Sequence, residues 1–463
     1  MKIIVASIAV IFIIYFSCLN WKRSVKTVFF LVVFEGILRK WVLPQASDLI
    51  YFLKDIVLLG AYIKYFVLSP YEKKVPIKND FLKLIICLVA GWCLFQVFNP
   101  SLGSPIVGFF GLRGYLFYIP LMWMITNLFS SEKELYQFLR SHLLLIIPVG
   151  LLGIVQFFIP GSFLNVYAGG QDAVAGFAGT DFVRITGTFS YISGYSMFLS
   201  ICFALVIPIF IKEHSLKWQI ILAFAMALLI GNSLMTGSRA VILFDCLFMI
   251  GYFSLLWWQQ PSLVAKYLRR FLIPIILSLI TITFGLRPAF DAFINRATSS
   301  DNLSNRIVDT FVVAQYFQFK FWDGYGTGAA NQATNSLRSL LNLPHGELIP
   351  IGFEQEMGRI ALELGPIGFL LWYGLRISLF IALGLVFLRL RKPFLKQLAL
   401  AVFLIHAIQL NGPLVTHPTF SIYYWFLTGF IFLLPRLETL EHWYHQQSNQ
   451  NVLPSSSFGA RYS

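Results

Sequence analysis

Arginines and one glutamate are the residues of this chain best suited to chemistry. Arg184 begins the stretch Arg-Ile-Thr-Gly-Thr-Phe-Ser, and Arg239 ends the stretch Thr-Gly-Ser-Arg. Arg306, Glu354 and Arg359 lie in a long polar segment further along the chain. A guanidinium group keeps its charge at all pH values and pairs bidentately with phosphate. The pattern therefore indicates arginines that hold a leaving pyrophosphate and a carboxylate that acts as a general base.

Simpler roles are open for these arginines. Arg184 could extend to lipid headgroups beside a helix N-cap, and Arg239 could anchor a tight turn at the membrane boundary. Arg306 could pair with Asp309 one helical turn on. Arg113, near the outer start of another apolar segment, is a further candidate for a phosphate contact.

Glycines and an amphipathic stretch accompany the arginines in the polar segment 287–359. Gly326 and Gly328 belong to the run Gly-Tyr-Gly-Thr-Gly, and we predict that they let the backbone approach a substrate closely. Residues 305–319 carry apolar side chains at helical spacing, which predicts an amphipathic helix on the bundle or the bilayer surface. A segment of this length is typical of a lid or a binding element.

Composition indicates that these residues belong to a membrane protein. Of the 463 residues, 57% are hydrophobic and 12% are charged, against about 25% charged in an ordinary soluble domain. Because lipid offers no partner for an exposed backbone N–H or C=O, long apolar segments form helices. The predicted fold is an all-α bundle of about 12–13 transmembrane helices. The apolar segments are 3–19, 25–38, 49–68, 81–98, 106–128, 143–159, 191–211, 218–234, 240–258, 271–286, 361–388, 398–410 and 420–434.

The distribution of positive charge predicts the orientation of the bundle. Lysines and arginines are concentrated in short connections, which the positive-inside rule assigns to the cytoplasm. The net charge of +14 is therefore expected to attract anionic membrane lipids, not a nucleic acid. Arg39 and Lys40 do not fit this scheme. The segments 99–105, 160–190, 231–239, 287–359 and 411–419 are predicted to be external.

Three regions are predicted along the chain. Residues 1–180 form N-terminal transmembrane helices, and 181–436 form a transmembrane core that includes the external loop 287–359. Residues 437–463 are rich in polar residues and are predicted to form a disordered cytoplasmic tail. All five cysteines lie in apolar segments, and the sequence has no nucleotide-binding loop and no metal-binding motif.

The order of the polar motifs resembles the O-antigen ligase and O-antigen polymerase superfamily of bacterial cell-surface polysaccharide assembly. The motifs are Arg184-x-x-Gly-Thr-Phe, Thr-Gly-Ser-Arg239, Asn-Arg306, Gly-x-Gly-x-Gly and Glu363-Leu-Gly-x-Ile-Gly. Together they extend over less than half of the chain.

The resemblance implies a metal-independent, cofactor-free inverting glycosyltransferase in the cell inner (plasma) membrane, with its active site on the external face. Its donor would be an undecaprenyl-diphosphate-linked oligosaccharide and its acceptor a glycan. Other polysaccharide assembly proteins are further candidate partners. Glu354, Arg239 and Arg306 would be catalytic, and Arg184, Arg359, Gly326, Gly328 and Arg113 would bind substrate.

One position departs from the ligase pattern. Ligases carry a catalytic histidine nine residues before the Glu-Leu-Gly motif, and here Glu354 occupies that position while His345 is out of register. A glutamate can serve as the base of an inverting sugar transfer, so both polymerase and ligase stay open. Glu356 is expected to face elsewhere and to tolerate substitution. The alternatives are a lipid-linked oligosaccharide flippase and a non-catalytic component of a polysaccharide export complex.

Overall fold

A computed structural model describes residues 2–69, 79–168, 174–177, 179–213, 215–259, 261–298, 313–320, 322–351 and 355–451. Of the described residues, 77% are helical and none belongs to a strand. The predicted all-α fold is confirmed.

Twenty helices follow one another in the described parts of the chain. The first ten are α1 Lys2–Leu19, α2 Trp21–Ile37, α3 Ser47–Tyr51, α4 Leu53–Tyr62, α5 Asp80–Val97, α6 Pro105–Leu116, α7 Leu121–Leu128, α8 Glu132–Leu143, α9 Ile146–Phe158 and α10 Ile192–Lys212. The others are α11 Leu216–Met235, α12 Arg239–Gln259, α13 Pro261–Ile280, α14 Arg287–Thr298, α15 Ala314–Phe317, α16 Thr334–Leu341, α17 Glu356–Arg389, α18 Pro393–Ile408, α19 Pro418–Thr428 and α20 Phe430–Asn451. Short π-helical turns extend α2, α4 and α13.

Eight helical stretches in the described residues are long and apolar enough to cross a membrane. They are α5, α6 with α7, α8 with α9, α10, α11, α12, α17, and α19 with α20. The sequence predicts about 12–13 spans, and every predicted apolar segment does fall on a helix. Five predicted segments lie outside these eight. The one on α3 and α4 breaks at Phe52, α18 has 16 residues, and α13 carries Lys266, Arg269 and Arg270. The other two lie on α1 and α2.

The loops meet in two groups, at opposite ends of the bundle. At one end Lys26 contacts Glu134 at 3.0 Å and Arg140 contacts Glu213 at 3.3 Å. We call this end the basic face; it contains the segments around 21–26, 130–134, 212–217, 266–270, 389–396 and 436–441. The helices α10, α11, α12 and α17 each run from this face to the other end.

The other end carries the polar motifs, and we call it the site face. Here the Nδ2 atom of Asn99 donates to the carbonyl oxygen of Gly324 at 3.1 Å, and Glu347 N donates to Ser101 O at 2.8 Å. Its loops lie around 99–104, 160–191, 236–238, 322–351 and 411–417. The grouping of loops therefore agrees with the one predicted from the charge distribution.

Packing joins the predicted N-terminal region to the predicted core. One hydrophobic cluster of buried residues extends from Trp21 to Leu437. The indole of Trp92 in α5 donates to the carbonyl oxygen of Leu364 in α17 at 2.9 Å. The helix α20 continues through position 436, where the sequence predicts the end of the core, and reaches Asn451. The last predicted tail residues, 452–463, lie outside the described residues.

Candidate functional site

Three arginines converge on the turn between α11 and α12. The Nε atom of Arg184 donates to the carbonyl oxygen of Thr236 at 2.8 Å. The Nε atom of Arg296, near the end of α14, donates to the carbonyl oxygen of Gly237 at 3.0 Å. Arg239, the first residue of α12, donates from Nη2 to the carbonyl oxygen of Arg296 at 2.5 Å. We call Arg184, Arg239 and Arg296 the arginine cluster.

The turn at Gly237 requires glycine. Its φ of +62° is in the left-handed region, which side chains with a Cβ rarely adopt. A Cβ at this position would lie 2.8 Å from the ring of Phe177 and 3.1 Å from the Nε atom of Arg184. The glycine therefore lets Arg184 lie directly against the turn.

The electrostatics of the cluster favour an anion. Desolvation and the neighbouring charge of Arg296 lower the pKa of the Arg184 guanidinium. Like charges held together create a positive potential that attracts an anion. The cluster also lies at the N-terminus of α12, where the helix dipole adds partial positive charge. A phosphate or diphosphate group is the ligand that this arrangement suits best.

The loop that follows Arg184 packs on the end of α2. Its polar groups bind Arg39 and Lys40, the two basic residues that do not fit the predicted orientation. Arg39 donates from Nη1 to the hydroxyl of Ser190 at 3.0 Å. Lys40 donates from Nζ to the hydroxyl of Thr186 at 3.0 Å and to the carbonyl oxygen of Gly187 at 2.8 Å. Burial lowers the pKa of Lys40 to about 7. Both residues therefore belong to the site face.

The glycine-rich run lies between α6 and α17. Gly326 N donates to the carbonyl oxygen of Glu363 at 2.9 Å. Gly328 has a φ of +84°, and a Cβ there would lie 2.8 Å from the Cα of Gly111 in α6. The close approach that these two glycines permit is therefore to the backbone of the protein itself. Their predicted role in substrate binding stays a prediction.

A sharp bend divides α17 into two arms. Gly365 has φ 68° and ψ −175°, and a Cβ there would lie 2.4 Å from the carbonyl oxygen of Trp322. The first arm, 356–364, carries the buried charges Glu356, Arg359 and Glu363 at helical spacing. We call these three residues the carboxylate cluster.

Each member of the carboxylate cluster binds the surrounding loops. Glu363 accepts hydrogen bonds from Ala330 N at 2.9 Å and from the hydroxyl of Tyr115 at 2.7 Å. Arg359 donates to the carbonyl oxygen of Ala330. Glu356 accepts from Val415 N at 2.6 Å and is only 6% exposed, so it is not the tolerant position that the sequence suggests.

Arg113 lies in a separate group of ion pairs. Its Nε atom donates to Asp55 Oδ2 at 2.8 Å, and its guanidinium stacks on the rings of Tyr51 and Phe52 at 5.0 and 4.8 Å. The predicted phosphate contact of Arg113 stays a prediction.

The neighbouring charges of α4 and α12 are also bound within the protein. Lys54 pairs with Glu35 and Asp55 pairs with Arg113, so the buried charges of α4 form internal ion pairs. Asp245 in α12 accepts a hydrogen bond from the hydroxyl of Ser233 at 3.4 Å.

The structure brings some of the predicted site residues together. Arg184 lies against the turn that precedes Arg239, and Arg359 donates to the carbonyl oxygen of Ala330, two residues after the glycine-rich run. Arg306 and Glu354 lie outside the described residues. Of the predicted helix 305–319, the described part contains the short helix α15. A single site that contains all of these residues stays a prediction.

Sequence reasoning missed two arginines. Arg296 is one of several basic residues in the segment 287–359, and the sequence has no signal that separates it from the others. Arg376 is fully buried in α17 and donates to the carbonyl oxygens of Gln409 at 2.7 Å and Gly412 at 3.1 Å. Its position within an apolar run is a signal that could have identified it.

The fold and the site define a multi-pass α-helical membrane protein with a cluster of arginines at one face. Among the residues that the structure describes, no group of three or more His, Cys, Asp or Glu side chains could hold a metal ion. Comparison with protein-family models and with curated proteins finds no match for this chain.

Proposed function

We propose that this protein transfers a lipid-diphosphate-linked oligosaccharide to a glycan acceptor, with inversion, at the external face of the plasma membrane. The observation that carries the proposal is the arginine cluster. Within the described residues, the Arg184 side chain uses only Nε in a hydrogen bond, so its two terminal nitrogens are available to a ligand. Two parallel N–H groups of this kind suit the oxygens of a diphosphate.

The proposed reaction is a direct displacement at the donor sugar. The acceptor hydroxyl attacks the anomeric carbon of the donor sugar, and a new glycosidic bond forms. The bond between that carbon and the diphosphate oxygen breaks, and the lipid diphosphate leaves with the electron pair. Glu354 takes the proton of the acceptor hydroxyl, and the arginine cluster stabilises the charge of the leaving diphosphate.

The backbone of α17 favours an enzyme over a flippase. Transporters commonly bind substrate where a helix is broken near the middle of the bilayer. The residues after the bend, 366–389, extend roughly 36 Å at ~1.5 Å per residue, which is enough to cross the hydrocarbon core alone. The bend at Gly365 is therefore at the site face, away from the midplane.

The test is the glycan profile of cells that lack this protein. If the protein is a polymerase, long chains disappear and single repeat units remain on their normal acceptor. If it is a ligase, lipid-linked polymer accumulates and never reaches its acceptor. Cells complemented with the unaltered gene serve as the control. An unchanged profile would refute the proposal, and accumulation of lipid-linked repeat units on the cytoplasmic side would indicate a flippase.

A further inference from the structure

A cavity of about 500 Å³ opens at the basic face, far from the arginine cluster. Its walls come from the end of α12, the end of α17 and the first turn of α18. The buried side chains of Leu256, Phe387 and Leu390 form an apolar floor. Arg389, Arg391 and Lys396 line the same cavity. It therefore combines an apolar base with three cationic side chains.

The charge of this cavity is not balanced from within. No acidic residue lines it in the described part of the chain. At its rim, Glu438 accepts from the backbone N–H groups of Arg391 at 2.8 Å and Lys392 at 2.7 Å. This contact uses the backbone of the rim and not the Arg391 guanidinium.

A neighbouring cavity provides an internal comparison. It has a volume of about 400 Å³ and shares Pro393 and Gln397 with the first. Its two lysines pair with carboxylates, Lys212 with Glu132 and Lys392 with Glu441, and its one arginine, Arg270, donates to the carbonyl oxygen of Ile211. Each cation of the second cavity thus has a partner within the protein, and one of those partners, Glu132, lines the cavity itself.

The surroundings of the first cavity are those of a membrane interface. Trp257 and Trp258, at the end of α12, are 62% and 75% exposed. Leu385 and Leu388 are exposed on the last turns of α17. Tryptophans of this kind lie at headgroup level, and exposed leucines face acyl chains. A ligand of the cavity would therefore have an anionic head beside an apolar tail.

We propose that this cavity binds the headgroup phosphate of one anionic phospholipid. Arg389, Arg391 and Lys396 surround the phosphate, and the acyl chains extend over Leu385 and Leu388. Basic pockets between transmembrane helices at the inner surface are known to suit anionic lipid headgroups. The proposal concerns one defined site, whereas the net positive charge of the loops alone would attract anionic lipids diffusely.

The experiment uses the purified full-length protein in a non-ionic detergent and native mass spectrometry to count bound lipid. The probes are short-chain phosphatidylglycerol, short-chain phosphatidylcholine and inorganic phosphate. The site variant combines Arg389→Gln, Arg391→Gln and Lys396→Gln. The control variant combines Arg23→Gln, Arg269→Gln and Lys217→Gln, which removes the same charge from exposed positions of the same face.

We expect one phosphatidylglycerol to bind per chain, more tightly than phosphatidylcholine. A basic side chain near an anionic headgroup contributes about fivefold in affinity, so the site variant should bind on the order of a hundredfold more weakly. The control variant should bind like the unaltered protein. Arg389→Gln alone, at an exposed position that should not disturb folding, should lose about fivefold.

Three results would overturn the proposal. The first is equal binding of phosphatidylglycerol by the site variant and the unaltered protein. The second is equal affinity for phosphatidylcholine and phosphatidylglycerol. The third is binding of inorganic phosphate as tight as that of phosphatidylglycerol, which would identify a site for a soluble anion.

Discussion

Arg239 hydrogen-bonds the backbone of Arg296, and Arg296 hydrogen-bonds the backbone two residues before Arg239. Arg239 donates from Nη2 to the carbonyl oxygen of Arg296 at 2.5 Å, and Arg296 donates from Nε to the carbonyl oxygen of Gly237 at 3.0 Å. These two bonds join the start of α12 to the end of α14. They also place two guanidinium groups at the same turn, where their positive potential attracts anions. This geometry supports the proposal of a phosphate ligand.

Replacement of Arg296 by lysine should impair polysaccharide synthesis. Lysine has a single ammonium group. It cannot donate to the carbonyl oxygen of Gly237 and also offer a planar pair of N–H groups to a phosphate. The loss of one charge-assisted hydrogen bond, about 1.5–3 kcal/mol, should lower long-chain polysaccharide output by roughly tenfold or more. Output is measured in cells at matched protein levels. Arg287→Lys, at the exposed start of the same helix, is the control, and equal output from both variants would argue against a role for Arg296.

The proposed base is tested by Glu354→Gln. The amide keeps the size of the side chain and its hydrogen-bonding capacity but cannot accept the proton of the acceptor hydroxyl. The variant should insert normally and make little or no long polysaccharide. Output like that of the unaltered protein would show that Glu354 is not the base.

The control for Glu354 has to be chosen from the structure. Glu356 is unsuitable, because its buried carboxylate accepts from Val415 N and its loss would disturb the 411–417 loop. Glu347 is half-exposed and pairs with Lys320 at the surface. Surface ion pairs contribute about 0–1 kcal/mol, so Glu347→Gln should leave polysaccharide output unchanged.

The bend in α17 should be sensitive to side-chain volume. Gly365→Ala puts a Cβ 2.4 Å from the carbonyl oxygen of Trp322 and imposes a left-handed conformation on alanine. We expect the free energy of unfolding in detergent to fall by roughly 2–4 kcal/mol. Gly374→Ala, in the same helix with open space around the added Cβ, should be neutral or stabilising. Equal thermal stability of the two variants would contradict the described bend.

Stability should depend on pH through His417. Desolvation and the charge of Arg359 lower the pKa of His417 from 6.5 to about 4. The unfolded chain therefore takes up a proton as the pH falls below 6.5, and the folded protein does so only near 4. Stability is full above pH 6.5 and decreases towards pH 4, by up to about 1.4 kcal/mol per pH unit.

The contribution of His417 can be isolated by mutation. His417→Asn should flatten the fall in thermal stability between pH 6.5 and 4. His345→Asn, at an exposed loop position, should leave the fall unchanged. An identical pH profile for His417→Asn and the unaltered protein would contradict the described environment of His417.

The helices were predictable from the length of the apolar segments. Long apolar segments form helices in lipid because no other backbone arrangement satisfies its own hydrogen bonds, and each predicted segment is helical. The breaks were less predictable. Phe52 divides α3 from α4, and no glycine or proline lies near it to mark a break. Gly365 precedes Pro366, a pair that is a local signal of a bend, but the left-handed conformation depends on the close approach of Trp322.

The site was predictable in part. The sequence places Arg184 and Arg239 at the same predicted face, and Arg184 bonds the turn that precedes Arg239. Their shared site with Arg306 and Glu354 stays a prediction. Arg296 could not be singled out, because its role depends on how α14 packs against the Gly237 turn. Lys40 looked misplaced because the positive-inside rule assigns lysines to the cytoplasmic face, and the predicted topology puts Lys40 on the other side. Here the loop at Thr186 and Gly187 supplies its partners instead.

The most direct test of the arginine cluster is the affinity of the purified protein for a polyprenyl diphosphate. Farnesyl diphosphate is a suitable probe, and farnesol shows how much of the binding comes from the apolar chain. Arg239→Lys keeps the charge and removes the planar fork, and Arg269→Lys, exposed on the basic face, is its control. We predict that Arg239→Lys weakens farnesyl diphosphate binding by about tenfold or more and that Arg269→Lys does not. Equal binding by Arg239→Lys and the unaltered protein would contradict the assignment of the cluster to the diphosphate.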